Sequence, residues 1–189
     1  MLPLHYTPML CTLTVYINLI NKSTTMFKIF AKILNIIYNT NMKKLVIYTD
    51  GACSYNPGPG GYAAILMYNG REKVISGGDK NTTNNRMELL AVIEALKAIK
   101  EQCEVDLYTD SAYVCNAFEQ SWITKWIMNG WKGSNKKPVL NKELWEQLVE
   151  LTNYHKVNFH KVKGHADNEY NNRCDKIARS EVDKLLAEI

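Results

Sequence analysis

The sequence predicts an α/β domain in which a mixed β-sheet is flanked by helices. Three alternating or β-branched segments come first and are separated by turn residues, which predicts an antiparallel meander. Strand and helix patterns then alternate towards the carboxyl end, which is typical of parallel strands joined by helices. Together the two halves predict one sheet with both antiparallel and parallel neighbours.

The meander is delimited by two groups of turn residues. Asn69-Gly70 is a strong signal for a tight hairpin turn. The Pro- and Gly-rich run Asn56–Gly61 is predicted to be a second turn rather than a cradle for phosphate. The predicted strands around these turns are Lys44–Thr49, Tyr62–Tyr68 and Glu72–Gly77.

The second half contains helices with a clear apolar face. Between Asn85 and Lys100, apolar residues recur at the spacing of an α-helix, and Thr82 or Thr83 could cap its start. The segment Ser121–Lys142 bears Trp and Lys and has no predicted element before Leu140. The remaining predicted elements are a strand at Val105–Thr109, a helix at Ser111–Phe118, a helix at Leu140–Asn153, a strand at Val157–Val162 and a helix at Glu169–Ala187.

Composition separates the first 41 residues from the rest of the 189-residue chain. Residues 1–41 contain three lysines and no Gly, Asp or Glu, whereas residues 42–189 carry 20 basic against 19 acidic side chains. We expect residues 42–189 to form the domain, because Met42 followed by Lys43–Asp50 looks like a natural beginning. Residues 1–41 are predicted to be an extension that is disordered or results from a start placed too far upstream. A targeting segment is the remaining alternative.

Composition also disfavours membrane and secreted proteins. The apolar stretch Met9–Ile20 is shorter than the roughly 20 residues of a membrane span, and no Lys or Arg precedes it as a secretory signal requires. The five cysteines form no CxxC pair, which argues against a zinc site or a disulfide framework and fits a reducing compartment. We expect a cytoplasmic protein without a membrane partner, and a monomer by default.

Four carboxylates are candidates for a metal site. Asp50 and Asp110 follow strands in the matching phrases Tyr-Thr-Asp-Gly and Tyr-Thr-Asp-Ser, so parallel strands would bring both to one sheet edge. Glu88 is placed in the first turn of a helix and Asp175 in the first half of the last helix. Taken singly, each could be a turn former, a helix cap or a partner of the helix dipole. Converging carboxylates would need a cation, and oxygen ligands without a Cys or His cluster favour Mg²⁺ or Mn²⁺.

Other residues suggest proton transfer and nucleic-acid binding. His165 follows the last predicted strand and, because histidine titrates near neutrality, would suit a proton shuttle beside the carboxylates. The alternative for His165 is a structural or exposed histidine. In segment 121–142, lysines alternate with tryptophans and no acidic residue occurs, which suits a phosphate backbone with its sugars or bases. The alternative is a solvated loop held by buried tryptophans.

These phrases, in their order and spacing, resemble bacterial type 1 ribonuclease H, also called ribonuclease HI. The resemblance runs from about Met42 to Ser180 and leaves residues 1–41 outside. It implies a ribonuclease H-like fold with a five-stranded mixed sheet flanked by helices, and cleavage of the RNA strand of RNA–DNA hybrids to 5′-phosphate and 3′-hydroxyl ends. The motifs that carry it are Tyr48–Cys53, Asn56–Tyr62, Thr82–Leu89, Thr109–Ser111 and Val162–His165 with Asp175.

The resemblance also assigns residues to the reaction. It implies that Asp50, Glu88, Asp110 and Asp175 hold two Mg²⁺ ions, with Mn²⁺ as a substitute. Such a pair stabilises the attacking and leaving oxygens of an in-line displacement. Asp50 would bridge the ions, and Glu88 would also lie near the 2′-hydroxyl that distinguishes RNA from DNA. His165 would assist proton transfer and product release.

Substrate contacts are implied in the same way, with an RNA–DNA hybrid as the partner. The implied contacts are Cys53, Asn56, Asn84 and Asn85 along the minor groove, Thr83 and Asn141 in a pocket for a DNA-strand phosphate, and Trp122, Trp126 and Lys132 on a basic protrusion. Two departures predict weaker binding with a shallower salt dependence but intact chemistry. Ala112 stands where the family commonly carries Gln, and Ile127-Met128-Asn129 stands where a well-known form is strongly basic.

Two other functions are compatible with parts of the pattern. A catalytically weak or dead hybrid-binding module would be expected to lose at least one of the four acidic residues, and all four are present. A DNA-acting relative, such as an integrase or transposase core, is disfavoured by the Thr-Asn-Asn-Arg phrase and the Trp- and Lys-bearing segment.

Overall fold

The computed structural model describes Lys28, Lys32, residues 42–164 and residues 168–188. Its described residues from Lys43 onward form five strands and five helices, which confirms the predicted α/β class. In chain order the elements are β1 (Lys43–Cys53), β2 (Gly58–Tyr68), β3 (Arg71–Thr82), α1 (Asn84–Lys97), β4 (Cys103–Thr109), α2 (Ala112–Glu119), α3 (Trp122–Met128), α4 (Lys142–Tyr154), β5 (Lys156–Lys161) and α5 (Glu169–Leu186).

The strands form one mixed sheet in the order β3-β2-β1-β4-β5. β1 pairs antiparallel with β2 and parallel with β4, and β5 extends the parallel half beside β4. The carboxyl ends of β1, β4 and β5 therefore lie at the same edge of the sheet. This topology confirms the predicted five-stranded mixed sheet.

The β2–β3 hairpin turns at the predicted residues. Asn69 and Gly70 both have positive φ angles, 48° and 72°, which match the twist of the flanking strands in a two-residue hairpin. β3 is longer than the predicted strand, because its pairing with β2 continues past Gly77 as far as Thr82.

The Pro- and Gly-rich run Asn56–Gly61 is only partly a turn. The chain bends at residues 54–57, but the run from Gly58 onward belongs to β2, so the prediction of a turn through Gly61 was wrong. A Cβ on Gly61 would lie 2.2 Å from the carbonyl oxygen of Ala178. Glycine therefore allows α5 to pack directly against this strand.

The two faces of the sheet are covered differently. On one face, α1 and α4 pack around a large apolar cluster that includes the fully buried Leu89, Leu107 and Trp145. On the other face, α5 contacts β1, β2 and β3 around a smaller cluster that includes Ile65 and Ala178. The carboxyl edge lies at the end of this sandwich, where loops and helix starts surround it.

The helices agree with the sequence patterns except in segment 121–142. α3 was not predicted there, because its seven residues are too few to show a helical period. Trp126 of α3 packs edge-on against Trp145 of α4 with ring centroids 5.4 Å apart, so aromatic packing organises this segment. Within the residues that the structure describes, none of the helices is long and apolar enough to cross a bilayer.

Candidate active site

Asp50 lies where the parallel and antiparallel pairings of β1 separate. Pairing with β4 ends at Thr49 and Thr109, whereas β1 continues beside β2 as far as Cys53. Asp50 is therefore inside β1, not at its end as predicted, and is only 8% exposed. Its Oδ1 accepts a hydrogen bond from the backbone N–H of Gly51 at 2.7 Å. The sheet thus holds a nearly buried carboxylate at its carboxyl edge.

Glu88 reaches this edge because α1 approaches β1 very closely. A Cβ on Gly51 would lie 2.4 Å from the backbone nitrogen of Glu88, so glycine permits the contact. α1 begins at Asn84, so the prediction that Glu88 lies in the first turn was wrong. Glu88 accepts hydrogen bonds from Nδ2 of Asn84 at 2.9 Å and from the Ser111 hydroxyl at 2.5 Å. These two donors, rather than the helix dipole, fix its position.

Asp110 and Ser111 follow β4 directly. Oδ2 of Asp110 accepts a long hydrogen bond, 3.4 Å, from Nδ2 of the buried Asn171 on α5. The Ser111 hydroxyl caps α2 by accepting from the backbone N–H of Val114 at 3.2 Å while it donates to Glu88. Ser111 therefore connects the start of α2 to a site carboxylate. This role of Ser111 was not predicted, although Ser111 stands in the phrase that marks Asp110.

Asp175 is held by an ion pair within α5. Nε of Arg179, one turn further along the helix, donates to Oδ1 of Asp175 at 2.7 Å. The side chain of Asp175 is 21% exposed and that of Arg179 is 62% exposed. Arg179 was also missed, and the available signal was its i,i+4 spacing from Asp175.

Asp50 and Glu88 lie in a poorly solvated region close to other carboxylates. Burial raises the pKa of Asp50 to about 7, and the negative charges of the other three carboxylates add to the rise. Burial also raises the pKa of Glu88, with a further contribution from Asp110, and the Ser111 hydrogen bond only partly opposes it. In the protein alone, the charged forms of Asp50 and Glu88 are therefore disfavoured.

All four carboxylates line one open cavity of about 660 Å³, called here the carboxylate cavity. Crowded carboxylate oxygens fit a hard divalent cation in chemistry and in charge, because the cation would remove their repulsion. As they stand, no three acidic, His or Cys side chains among the described residues are close enough together to hold a metal ion. Glu88 and Asp175 are engaged by Ser111 and Arg179 instead. Side-chain rotation would be needed to complete a metal site.

The predicted minor-groove residues lie beside this cavity. Cys53 and Asn84 line it, and Oδ1 of Asn56 accepts from the backbone N–H of Asn84 at 3.2 Å. The Cys53 thiol donates to the backbone carbonyl of Tyr55. Asn85 is exposed on the first turn of α1. Cys53 and Asn84 thus form a polar strip along the cavity, and Asn56 is joined to it through the backbone of Asn84.

The predicted phosphate-pocket residues stand at two helix starts. Thr83 is the N-cap residue of α1, and Asn141 is the N-cap residue of α4 with a positive φ of 58°. Oδ1 of Asn141 accepts from Nη1 of Arg86 at 3.2 Å, and the same guanidinium pairs with Glu143 at 2.5 Å. Arg86 therefore connects α1 to the start of α4, a role that was not predicted from its motif.

The predicted protrusion residues are packed as well as accessible. Trp122 and Trp126 are half-buried against the main apolar cluster, and their ring centroids lie 6.0 Å apart. Both tryptophans and the exposed Lys132 border one surface depression of about 480 Å³. Packing and accessibility are therefore combined in this segment, and the two interpretations of its tryptophans are compatible.

Two predictions lie outside the described residues. His165 is one of them, together with its neighbours at 166 and 167, so its role in proton transfer stays a prediction. The extension 1–41, apart from Lys28 and Lys32, is the other.

Solved structures place the fold in the ribonuclease H-like class. LC9-RNase H1, a type 1 RNase H with the type 2 active-site motif, matches with a TM-score of 0.69 and 28% identity over 76% of this chain and 74% of that chain. LC11-RNase H1, solved in complex with RNA/DNA hybrid, matches with a TM-score of 0.56 and 24% identity over 75% of this chain and 99% of that chain.

Sequence relatives give the family. The RNase H family model matches residues 42–183. Ribonuclease H of Acetivibrio thermocellus is 64% identical over 143 residues, which are 76% of this chain and 97% of that protein. Ribonuclease H of Chlorobaculum parvum is 61% identical over 137 residues, which are 72% of this chain and 94% of that protein. The chain therefore belongs to the ribonuclease H family of nucleases, and the resemblance to the bacterial type 1 enzymes is confirmed.

Proposed function

We propose that the protein is a Mg²⁺-dependent endonuclease that hydrolyses the RNA strand of RNA–DNA hybrids. The observation that carries the proposal is the carboxylate cavity, where acids from β1, α1, the end of β4 and α5 meet and three of them repel the charge of Asp50. Relatives at more than 60% identity bear the name Ribonuclease H. The fold is compatible with the substrate, since LC11-RNase H1 was solved with an RNA/DNA hybrid.

Asp50, Glu88, Asp110 and Asp175 would hold two Mg²⁺ ions, for which Mn²⁺ could substitute. When bound, the two Mg²⁺ ions would stabilise the charge on the attacking and leaving oxygens of an in-line displacement. This displacement leaves 5′-phosphate and 3′-hydroxyl ends. The chain's own contribution is to bring four acids to one sheet edge. Asn84 and Ser111 aim the Glu88 carboxylate, and the Asn171 amide supports Asp110.

Recognition of the RNA strand would start from Glu88 and the polar strip beside it. Glu88 would lie near the 2′-hydroxyl, the group that only RNA offers. The strip consists of the neutral hydrogen-bonding residues Cys53, Asn84 and Asn56, and the exposed Asn85 follows Asn84 on α1. Neutral donors and acceptors suit a minor groove, because they bind sugar edges without requiring a countercharge. His165 would assist proton transfer, since histidine titrates near neutrality.

The DNA strand would be held by the phosphate pocket and the protrusion. Lys132 is exposed at the depression that Trp122 and Trp126 border. We expect Lys132→Ala to weaken hybrid binding and to reduce the slope of log Kd against log salt by about one, because one phosphate contact is lost. Fluorescence anisotropy of a labelled hybrid at several salt concentrations measures both quantities.

The matched control for this measurement is Lys97→Ala. Lys97 pairs with Glu94 on α1, at a distance of 2.9 Å, and is not among the predicted contact residues. We expect its salt slope to equal that of the wild type. A slope for Lys132→Ala that also equals the wild-type slope would contradict a phosphate contact at Lys132.

The activity is tested by cleavage of a labelled RNA–DNA hybrid with Mg²⁺, beside matched double-stranded RNA and double-stranded DNA. We expect the wild type to cut the RNA strand of the hybrid alone and Asp50→Asn to cut at no detectable rate. Asp79→Asn is the matched control, because Asp79 is exposed in β3 and accepts from the backbone of Asn81. Cleavage of duplex DNA would indicate a DNA-acting relative. Hybrid binding without cleavage by the wild type would indicate a binding module, and either result contradicts the proposal.

A further inference from the structure

The carboxylate cavity contains its own positive charge. Among the described residues that line the cavity, Arg179 is the one Lys or Arg side chain. Its guanidinium donates through Nε to Oδ1 of Asp175 at 2.7 Å. Both residues belong to α5, four positions apart, where side chains of one helix face meet.

The four acids therefore differ in the charge of their hydrogen-bond partners. Neutral donors satisfy three of them: the Gly51 backbone for Asp50, Ser111 and Asn84 for Glu88, and Asn171 for Asp110. Asp175 is paired with a full positive charge instead. While this pair is intact, the guanidinium occupies Oδ1, one of the two oxygens through which Asp175 could bind a metal ion.

We propose that Arg179 is the resident counter-ion of the metal site, which holds Asp175 in the metal-free protein, is displaced when a divalent cation binds, and thereby lowers metal affinity. The inference rests on the metal-holding role of the carboxylate cavity under the proposed function. It makes Arg179 a positioning residue that acts through Asp175.

Arg179 should lower the affinity for Mg²⁺ for two reasons. Competition for Asp175 opposes metal binding, and so does repulsion between the guanidinium and a divalent ion in the same cavity. The guanidinium of Arg179 has room to move away from Asp175, because the Arg179 side chain is 62% exposed. Asp183 lines the same cavity one helical turn beyond Arg179 and offers the displaced guanidinium another carboxylate.

The test is calorimetric titration of Mg²⁺ into the full-length protein without nucleic acid. We expect Arg179→Gln to bind Mg²⁺ about three- to tenfold more tightly than the wild type, as expected for the loss of one partly exposed ion pair and one repulsive charge. Arg179→Lys, which keeps the charge but loses the planar fork, is expected to fall between the two. Thermal melting of each variant verifies that it is folded.

Arg173→Gln is the matched control on the same helix. Arg173 pairs with Glu72 of β3 at 2.8 Å, outside the residues that line the cavity, so its loss should leave Mg²⁺ affinity at the wild-type value. Equal or weaker Mg²⁺ binding by Arg179→Gln would overturn the inference, and hybrid cleavage by the wild type would then show that the proposed function still stands. A wild type that binds no Mg²⁺ would overturn both.

Discussion

Carboxylates in two regions of this molecule are in opposite electrostatic situations. Beside β5, Glu104 of β4 lies between Lys44 and Lys156, with oxygen–nitrogen distances of 3.6 and 3.0 Å, and its pKa is lowered chiefly by the hydrogen bond from Lys156. In the carboxylate cavity, burial and repulsion raise the pKa of Asp50 to about 7 and also raise that of Glu88.

Asp106 is the next outward-facing residue of β4, and its pKa is lowered like that of Glu104. It accepts from Asn158 at 3.1 Å and contacts Nε2 of His160 at 2.9 Å, and the His160 hydrogen bond lowers its pKa. The region around β4 and β5 thus supplies two lysines to Glu104 and side-chain hydrogen-bond partners to Asp106. The carboxylate cavity supplies a cation to Asp175 alone, and its other acids need one from solution. This difference separates carboxylates that are satisfied within the fold from carboxylates that, under the proposed function, would hold a metal ion.

The largest expected effect is on cleavage. Glu88→Gln and Asp110→Asn should each lower the rate of hybrid cleavage by about 100-fold or more, because each removes a charge that would hold Mg²⁺ where charge develops in the transition state. Glu104→Gln removes a carboxylate that already has cationic partners and should keep the rate within about twofold of the wild type. The three cleavage rates are measured with the same hybrid. If Glu104→Gln lost as much activity as the two cavity variants, the contrast between the two regions would be contradicted.

The next effect is on the pH dependence of stability without metal. The folded protein keeps a proton on Asp50 up to a pKa of about 7, whereas the unfolded chain releases it near pH 4. Between these values the folded state binds more protons, so the free energy of unfolding falls as pH rises, by up to about 1.4 kcal/mol per pH unit. The lowered pKa values of Glu104 and Asp106 act only below their ordinary range, outside this window.

Denaturant titrations in EDTA between pH 5 and pH 8 measure this dependence. Asp50→Asn lacks the titrating group, so its stability relative to the wild type should grow with pH and level off above pH 7. Parallel curves for the two proteins would show that Asp50 titrates normally and would contradict the account of the cavity.

The smallest effect concerns the hydroxyl that holds Glu88. Ser111→Ala removes the hydrogen bond to Glu88 and the cap of α2, so we expect cleavage to fall about tenfold and stability to fall by about 1 kcal/mol. Ser76→Ala is the matched control, because the Ser76 hydroxyl also donates to a carboxylate, Glu181, at 2.8 Å but outside the cavity. Equal cleavage rates for Ser111→Ala and Ser76→Ala would contradict a role of Ser111 in positioning Glu88.

The backbone of the site could be predicted because it depends on local patterns. The two Tyr-Thr-Asp phrases end parallel pairing at the same register, Thr49 opposite Thr109, and this places Asp50 and Asp110 at one edge. The course of β1 beyond Asp50 could not be predicted, since it depends on pairing with glycines of β2 that sequence patterns assign to a turn.

The partners of the site acids were the part that sequence patterns missed. Ser111 stands inside a motif that was noticed, but its bond to Glu88 joins elements far apart in the chain. Arg179 is only four residues from Asp175, and its i,i+4 spacing is common on solvated helices. The role of the Arg179–Asp175 pair depends on the cavity that both residues line, and only the tertiary structure shows this cavity.

The central claim is that repulsion among the cavity carboxylates is relieved by a divalent cation. Thermal melting of the wild type and Asp50→Asn, each in EDTA and in Mg²⁺, tests it most directly. We predict that Asp50→Asn melts higher than the wild type in EDTA, that Mg²⁺ raises the wild-type Tm, and that Mg²⁺ raises the Tm of Asp50→Asn much less. Equal shifts in the two proteins, or a wild type that is already the more stable in EDTA, would contradict it.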